Sequence, residues 1–488
     1  MASHFQKFQC LSALVTVAMI AEASPTRVGS PPFPPLRAGN DPSDHCPQYH
    51  SFRGDQDPSG PLQTSDGVWH VFPINENWSH CTSSDLLRWN CSHPSTGWKM
   101  PNTGGVSATP AGFFAMQADN FNVSMARANG PDLDEWVMHG VVASPRAPYP
   151  ATMSLSDTGR ALQRPSGWYV PVGVRGPGNV GGGVHWFRAD NESLTHLVEA
   201  SFLFTTNTSL GPLLECPDVF ELGGKAVLLG SFPGPDSCYS CGTSWWWVGS
   251  FSADDLTFTP EATGRFDFGM PGFSSIYAAK SGSQAAAPFS RRVLFGFGGW
   301  RQGDMSSCGG RYVLPRDLSL SPAGALLQHP AAELEGLRQG PAVEGATIAA
   351  GGQVEVLILC TLPAAGPPSS GVLGVETLQQ QQQAAGAVAI QVGIDFASRT
   401  GFAFVPAPLG LFGNTSRTDS TAPLQSALQG DTLEIRVFVD GQMVETFFGG
   451  EASITTATSS AAASSNITSA LINTASLACN VTSWVLSL

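Results

Sequence analysis

The sequence predicts an all-β protein in two parts, a propeller-like array of small sheets followed by a β-sandwich, and three observations lead there. Glycine (54) and proline (37) together make up about a fifth of the 488 residues, against roughly an eighth in an average chain. Only 13% of residues are charged, about half the usual share. Short alternating apolar runs recur between turn signals. That combination excludes a coiled coil, a helical repeat array and a charged disordered tail, and favours many strands joined by tight turns.

The N-terminus carries an address. Lys7 precedes an apolar run from Cys10 to Ala21, and Ala21-Glu-Ala23 fits small-x-small cleavage before Ser24. Residues 1–23 therefore read as a secretory signal peptide, the competing reading being a membrane anchor, for which the run is short. Residues 24–45, rich in proline, glycine and serine, read as a flexible segment. Eight Asn-x-Ser/Thr sequons follow, at Asn77, Asn90, Asn122, Asn191, Asn207, Asn414, Asn466 and Asn480, which suits the secretory path. Beyond the leader no stretch holds 18 consecutive apolar residues, so no membrane association is expected after signal removal. Nine cysteines remain after residue 10. An odd number in an oxidising compartment leaves at least one free thiol. Cys238-x-x-Cys241 reads either as a loop disulfide or as a metal or redox pair, and the missing second pair favours the disulfide.

From residue 46 to 332 strand-like runs cover residues 68–72, 168–172, 184–187, 226–229, 245–251 and 292–295, with Asp66-Gly67 and Gly223-Gly224 as hairpin turns. A loose repeat accompanies them: Asp85-Leu-Leu-Arg-Trp89, Asp132-Leu-Asp-Glu-Trp136 and Asp255-Leu-Thr-Phe258, with an echo at Asp190-Asn-Glu-Ser-Leu194. Its spacing suits propeller blades carrying insertions, unless tryptophan-rich strands produce it by coincidence. Residues 331–338 form the best helix candidate, and 333–343 are expected to be a linker. From 344 to 488 the runs at 354–359, 388–392 and 433–439 alternate like sandwich strands, and Asp440-Gly441 turns a hairpin into residues 442–448. The glutamine run at 379–383 and the stretch 458–469 are low-complexity loops.

The net charge of −14 would repel a polyanion, so nucleic acid is excluded and a neutral ligand expected. Acidic residues are scarce, which singles out two of them. Asp57 lies in Asp57-Pro-Ser-Gly-Pro61, where Pro58 and Gly60 fix the backbone at a strand edge; it reads as a turn cap or as a held carboxylate. Glu215, among Leu213, Leu214, Cys216 and Pro217, reads as a partly desolvated general acid or as half of a buried salt bridge. Two such carboxylates from different blades in one funnel would suit glycoside hydrolysis. Trp69 and Trp78, near Asp57 in sequence, offer flat apolar faces for sugar rings, whereas Trp89 belongs with a blade core. The ten histidines are dispersed, and no metal or cofactor is expected.

The order of motifs resembles glycoside hydrolase family 32, the invertases, fructan hydrolases and related fructosyltransferases, over nearly the whole mature sequence. Asp57-Pro-Ser-Gly-Pro61 with Asp66-Gly-Val-Trp-His-Val-Phe72 resembles the nucleophile motif and its following strand. Residues 78–89 resemble the Trp-Gly-His segment, and Thr103-Gly-Gly-Val-Ser-Ala108 the Ser-Gly-Ser region. Leu214-Glu-Cys-Pro-Asp-Val-Phe-Glu-Leu222 is similar to the acid/base motif and is the most specific match. Phe266-Asp-Phe-Gly269 with Tyr277-Ala278, then Arg311-Tyr-Val-Leu-Pro-Arg316, continue the series, and residues 436–447 resemble the C-terminal strand pair.

The resemblance implies a five-bladed propeller and a secreted retaining enzyme, extracellular, wall-bound or vacuolar, that releases terminal β-D-fructofuranosyl units from sucrose or fructans. It implies Asp57 as nucleophile, Glu215 as acid/base and Asp157 as a clamp on ring hydroxyls. Gln56, Ser59, Trp69, Trp78, Ser156 and Cys216 are the expected substrate contacts. There are departures: Gln56 and Ser59 replace the two asparagines of Asn-Asp-Pro-Asn-Gly, and the segment between Phe72 and Trp78 is short and lacks the usual Gln. Ser156-Asp157-Thr158, the best placement of Arg-Asp-Pro, keeps only the Asp, and the competing placement at Arg164-Pro165 has no carboxylate. Two other readings stay open, a fructosyltransferase and a non-catalytic carbohydrate-binding relative. Asp218 and Asp267 either face the funnel or serve the structure.

Overall fold

The computed structural model of the protein describes residues 47–52, 57–75, 77–92, 99–144, 154–176, 181–206, 208–234, 242–269, 275–285, 291–298, 311–380, 387–405, 418–441, 443–457 and 467–488. The leader, Gln56, Cys46, Cys238, Cys241 and Cys308 lie outside these residues, as do the sequons at Asn207, Asn414 and Asn466. Among the described residues no helix is long and apolar enough to cross a membrane.

Strand follows strand because turn chemistry interrupts the chain every few residues. Five antiparallel sheets succeed one another, formed by residues 58–92, 104–143, 155–205, 215–265 and 277–330. Each is a meander of contiguous chain. Their first strands are β1 (Pro58–Gln63), β2 (Gly104–Thr109), β3 (Leu155–Thr158), β4 (Glu215–Leu222) and β5 (Tyr277–Ser283). Each of these touches the next, and β5 returns to β1, so they form a ring. The ring closes where Gln63 and Gln284 form a parallel bridge and the Ala285 N–H donates to the Gln63 carbonyl at 2.7 Å.

In such a ring both faces of a sheet meet a neighbour, so the large aromatics lie between sheets. Phe72, Trp78 and Trp136 fill the space between the first and second. Phe114, Leu155 and Val170 lie between the second and third, Tyr169, Trp186 and Trp247 between the third and fourth, and Phe220, Trp246 and Leu294 between the fourth and fifth. Trp69, Val71, Phe295 and Tyr312 join the fifth back to the first. Each buried aromatic of this kind contributes roughly 1.5–3 kcal/mol through apolar area removed from water.

The Asp-Leu repeat marks a recurrent turn. Leu86, Leu133 and Leu194 have φ of 59°, 60° and 57°, and each buries its side chain just before the last strand of its sheet. In the fourth sheet Asp255 takes this conformation, at φ 62°, held by Arg164 at 2.9 Å and by the Ser166 hydroxyl at 2.6 Å. Trp136 donates its indole N–H to the Leu133 carbonyl at 2.7 Å and Trp89 to that of Leu86 at 3.2 Å. The turn and its aromatic thus form one local unit.

After a 3-10 helix at Ala332–Leu337 the chain enters the second part at once. Arg338–Glu344, which runs from within the expected linker (333–343) into the expected sandwich, pairs with Cys479–Leu486 as an edge strand. Sheets of six and five strands make a β-sandwich around an aliphatic core that includes Val356, Ile358, Val392, Ile394 and Val437. Disulfides join Cys81 to Cys91 and Cys360 to Cys479.

A buried polar network ties the two parts together. His50 bonds Asp440 at 2.7 Å and Glu445 at 2.8 Å. Arg316 reaches Glu445 at 2.6 Å, and Asp267 accepts from Ser453 at 2.8 Å and from Thr455 at 2.7 Å. Asp267 therefore takes the structural role of its two expected ones.

Candidate active site

The ring of inner strands carries the same irregularity four times. In β1 the register moves from Ser59 opposite Phe72 to Leu62 opposite His70, and in β3 from Leu155 opposite Val174 to Thr158 opposite Val172. In β4 it moves from Glu215 opposite Ser231 to Asp218 opposite Leu229, and in β5 from Tyr277 opposite Phe297 to Lys280 opposite Phe295. Three residues thus span what two span on the partner strand, which is a β-bulge. A bulge bends its strand and re-aims the side chains beside it. Gly60, Cys216 and Ala278 each take φ 52° there, a conformation that is strained for the two residues bearing a Cβ.

Above these bulges lies a cavity of about 570 Å³, lined among others by Asp57, Asn102, Thr103, Asp119, Ser156, Asp157, Glu215 and Tyr277. Asp57, just ahead of β1, accepts a hydrogen bond at Oδ2 from the Thr103 hydroxyl at 2.7 Å. Glu215, the first residue of β4, accepts at Oε2 from the Tyr277 hydroxyl. Asp157, inside the β3 bulge, accepts the Cys216 N–H at 2.8 Å and the Ser156 hydroxyl at 3.3 Å. The Cys216 thiol is 3.9 Å from Oδ2 of Asp57 and 3.4 Å from Oδ2 of Asp157, so one buried sulfur touches both carboxylates. Residues 57, 157 and 215, remote in sequence, meet at one floor.

Burial governs the protonation of this floor. It raises the Asp157 carboxyl above the ordinary value, opposed by the charge of Lys280 and by the Cys216 hydrogen bonds. Burial, reinforced by the Asp157 and Asp57 charges, pushes the Cys216 thiol well up, so it stays protonated and donates. Burial and the neighbouring Glu215 charge do the same for the Tyr277 phenol. Among the described residues no group of three His, Cys, Asp or Glu side chains is arranged to hold a metal ion. The chemistry available is that of carboxylates held at one cavity by neutral donors.

Several expected contacts fall elsewhere. Trp69 and Trp78 are buried and do not line the cavity; their expected role as sugar platforms is corrected, because the ring uses both between its sheets. The Trp69 ring packs against Phe295 at 6.1 Å, and the Trp78 indole N–H donates to the Asn102 carbonyl at 2.8 Å. Ser59 is buried too, its hydroxyl oxygen accepting the Gly104 N–H at 3.2 Å, which joins β1 to β2. Cys216 lies beneath the carboxylates, not on the lining, whereas Ser156 reaches it. Asp218 is buried away from the cavity and accepts the Ser281 N–H at 2.9 Å. Gln56 is outside the described residues.

Thr103, Tyr277 and Asp119 were not singled out by sequence. Thr103 and Tyr277 do stand in recognisable motifs, but the carboxylates they bond, Asp57 and Glu215, belong to other sheets. Asp119 accepts the Phe121 and Asn122 N–H groups at 2.7 Å and 2.6 Å, so it also closes a turn at the rim.

The profile of the glycosyl hydrolases family 32 N-terminal domain matches residues 115–330, and that of the family 32 C-terminal domain matches residues 332–484. Asp57 and Thr103 lie ahead of the first match. No curated protein sequence matches the chain. Among solved structures it is similar to fructan 1-exohydrolase IIa from Cichorium intybus, at 18% identity over 92% of this chain and 98% of that one, with a TM-score of 0.69. It is similar as well to sucrose-6-phosphate hydrolase from Lactobacillus gasseri, at 17% identity over 92% and 94%, with a TM-score of 0.70. A β-fructofuranosidase of Bombyx mori matches at 19% identity over 92% and 95%, with a TM-score of 0.68.

Proposed function

The chain belongs to glycosyl hydrolase family 32, and from that premise we propose that it is a secreted, retaining β-fructofuranosidase acting on sucrose or fructan oligosaccharides. That it is a fructosidase-like glycoside hydrolase follows from the family; the substrate, route and secretion are our reading. One observation carries it: Asp57, beside the Cys216 thiol, and Glu215, held by the Tyr277 phenol, come from the first and fourth sheets to line one sugar-sized cavity.

In this mechanism the Asp57 carboxylate attacks the anomeric carbon of the terminal fructosyl unit. The glycosidic C–O bond breaks as Glu215 gives its proton to the departing oxygen. A covalent fructosyl ester on Asp57 results. Glu215, now a carboxylate, takes a proton from water, the oxygen attacks the same carbon, and fructose leaves with Asp57 restored. Thr103 and Tyr277 hold one oxygen of each acid, which fixes their orientation at no cost during the reaction. Asp157 binds ring hydroxyls as an acceptor.

Secretion is supported by the apolar leader, the sequons and the Cys81–Cys91 and Cys360–Cys479 disulfides, which suit an oxidising compartment. The test is fructose release by the purified protein from sucrose, inulin and levan, beside Glu215→Gln. Release abolished by the variant supports the reading. Longer fructosides in place of free fructose would move it to transfer. Sugar-dependent thermal stabilisation without turnover would move it to binding alone.

A further inference from the structure

Lys280 is 98% buried on the strand that carries Tyr277. Its ammonium donates to the Thr158 carbonyl at 2.7 Å and to the Pro217 carbonyl at 3.4 Å. Thr158 directly follows Asp157, and Pro217 follows Glu215 by two residues. One side chain on β5 therefore crosses to β3 and β4 immediately behind two of the site's acids. The strands approach closely there: a Cβ on Gly159 would lie 2.5 Å from the Pro217 carbonyl oxygen.

The charges around this ammonium are unevenly placed. Asp157 on β3, Asp57 and Glu215 are acids, and the Cys216 thiol beside Asp57 and Asp157 is a neutral donor. Asp218 on β4 is engaged by Ser281 and lies 3.7 Å from Arg160. Among the described residues no carboxylate is within ion-pair distance of Lys280 itself, whose hydrogen-bond acceptors are two neutral carbonyls. A buried ammonium without an opposite charge is costly, and three carboxylates converging on one floor drive each other toward protonation. Each problem answers the other. The arginine that the family's Arg-Asp-Pro motif would place beside Asp157 is Ser156 in this chain, and the Lys280 ammonium behind the strand is a positive charge acting on Asp157.

We propose that Lys280 is a positioning residue for the reaction: its buried ammonium ties β3 to β4 and supplies the positive charge that keeps Asp157 an acceptor for substrate hydroxyls. The proposal rests on the fructosidase reading of the site. It assigns to a side chain outside the cavity lining a part in substrate affinity.

Lys280→Gln, which keeps a hydrogen-bond donor and removes the charge, tests it against sucrose. The acid limb of kcat/KM should move up by about one pH unit, and KM should rise about tenfold with a smaller change in kcat. Lys280→Arg should restore the wild-type limb. A folded Lys280→Gln protein with the wild-type pH profile and KM overturns the proposal. A second measurement does not need turnover: melting temperatures of Lys280→Gln, Asp157→Asn and the double variant. Asp157→Asn should recover part of the stability lost in Lys280→Gln; additive losses overturn the coupling. If Lys280→Gln fails to fold, rescue by Asp157→Asn supports the proposal, and failure of the double variant overturns it. Absence of fructose release by the wild-type protein would sink the fructosidase reading alone, since the melting cycle still decides the role of Lys280.

Discussion

Tyr277 donates its hydroxyl to Oε2 of Glu215, and the two residues hold the same place in adjacent sheets, each one position ahead of a bulge residue at φ 52°. The pairing is therefore built from repetition: one backbone irregularity, used in neighbouring strands, aims an acid and its donor at each other.

Tyr277→Phe removes the donor and keeps the packing. Turnover on sucrose should fall by about ten- to a hundredfold, in the range of lost positioning at a general acid, with the melting temperature nearly unchanged. Steady-state kinetics and calorimetry on one preparation check both parts.

Asp57→Asn and Glu215→Gln each remove a group that forms or breaks a bond in the proposed route. Either should lower kcat by about a thousandfold or more with circular dichroism unchanged. Near-native turnover in one of them would withdraw its assigned role.

Gly60 supplies the positive φ in the β1 bulge, and a Cβ there would lie 2.4 Å from Val106 Cγ2. Gly60→Ala should cost at least about 2 kcal/mol through strain and overpacking. It should also weaken activity, because Asp57 stands three residues upstream. Denaturant unfolding with an activity assay reads the two effects separately.

His50 sets an alkaline limit. Burial alone would lower its pKa, but the hydrogen bonds it donates to Asp440 and Glu445 prevail and raise it to about 9, against about 6.5 in the unfolded chain. Its contribution to stability is fully present below pH 6.5 and is lost as pH rises through 9. The melting temperature of the wild-type protein should fall between those values, and His50→Gln should flatten that part of the curve.

His70 sets an acid limit of the opposite sign. Burial, then the neighbouring His80, lowers its pKa to about 4, so it is neutral in the fold while it bonds His80 at 2.8 Å. Its contribution is present above 6.5 and is lost as pH falls through 4. His70→Asn should show a shallower loss of melting temperature between pH 6.5 and 4.

Features set by local chemistry were legible in the sequence. The Asp-Leu turns at Leu86 and Leu133 could be found because turn, buried leucine and the following Trp89 or Trp136 lie within a few residues. The strands at Gly167–Val174 and Thr432–Asp440 announced themselves by composition and alternation. Trp69 and Trp78 were misread for a physical reason: a ring of sheets has a neighbour over both faces, so an aromatic beside a catalytic motif need not see solvent. Tyr277 and Thr103 stood in motifs, but the carboxylates they serve come from other sheets. No sequence pattern shows that Lys280, in the strand Tyr277–Ser283, reaches the Thr158 and Pro217 carbonyls of two other sheets.

The contiguity of each sheet has a consequence for biosynthesis. Asp57 belongs to the first sheet translated, whereas Tyr277 and Lys280 arrive with the fifth, which must dock against Gln63 and Trp69 to complete the circle. A nascent chain that has emerged only through residue 265 already contains all three acids. It lacks the phenol and ammonium that flank them, so the set of side chains around the acids is complete only once the final sheet has docked.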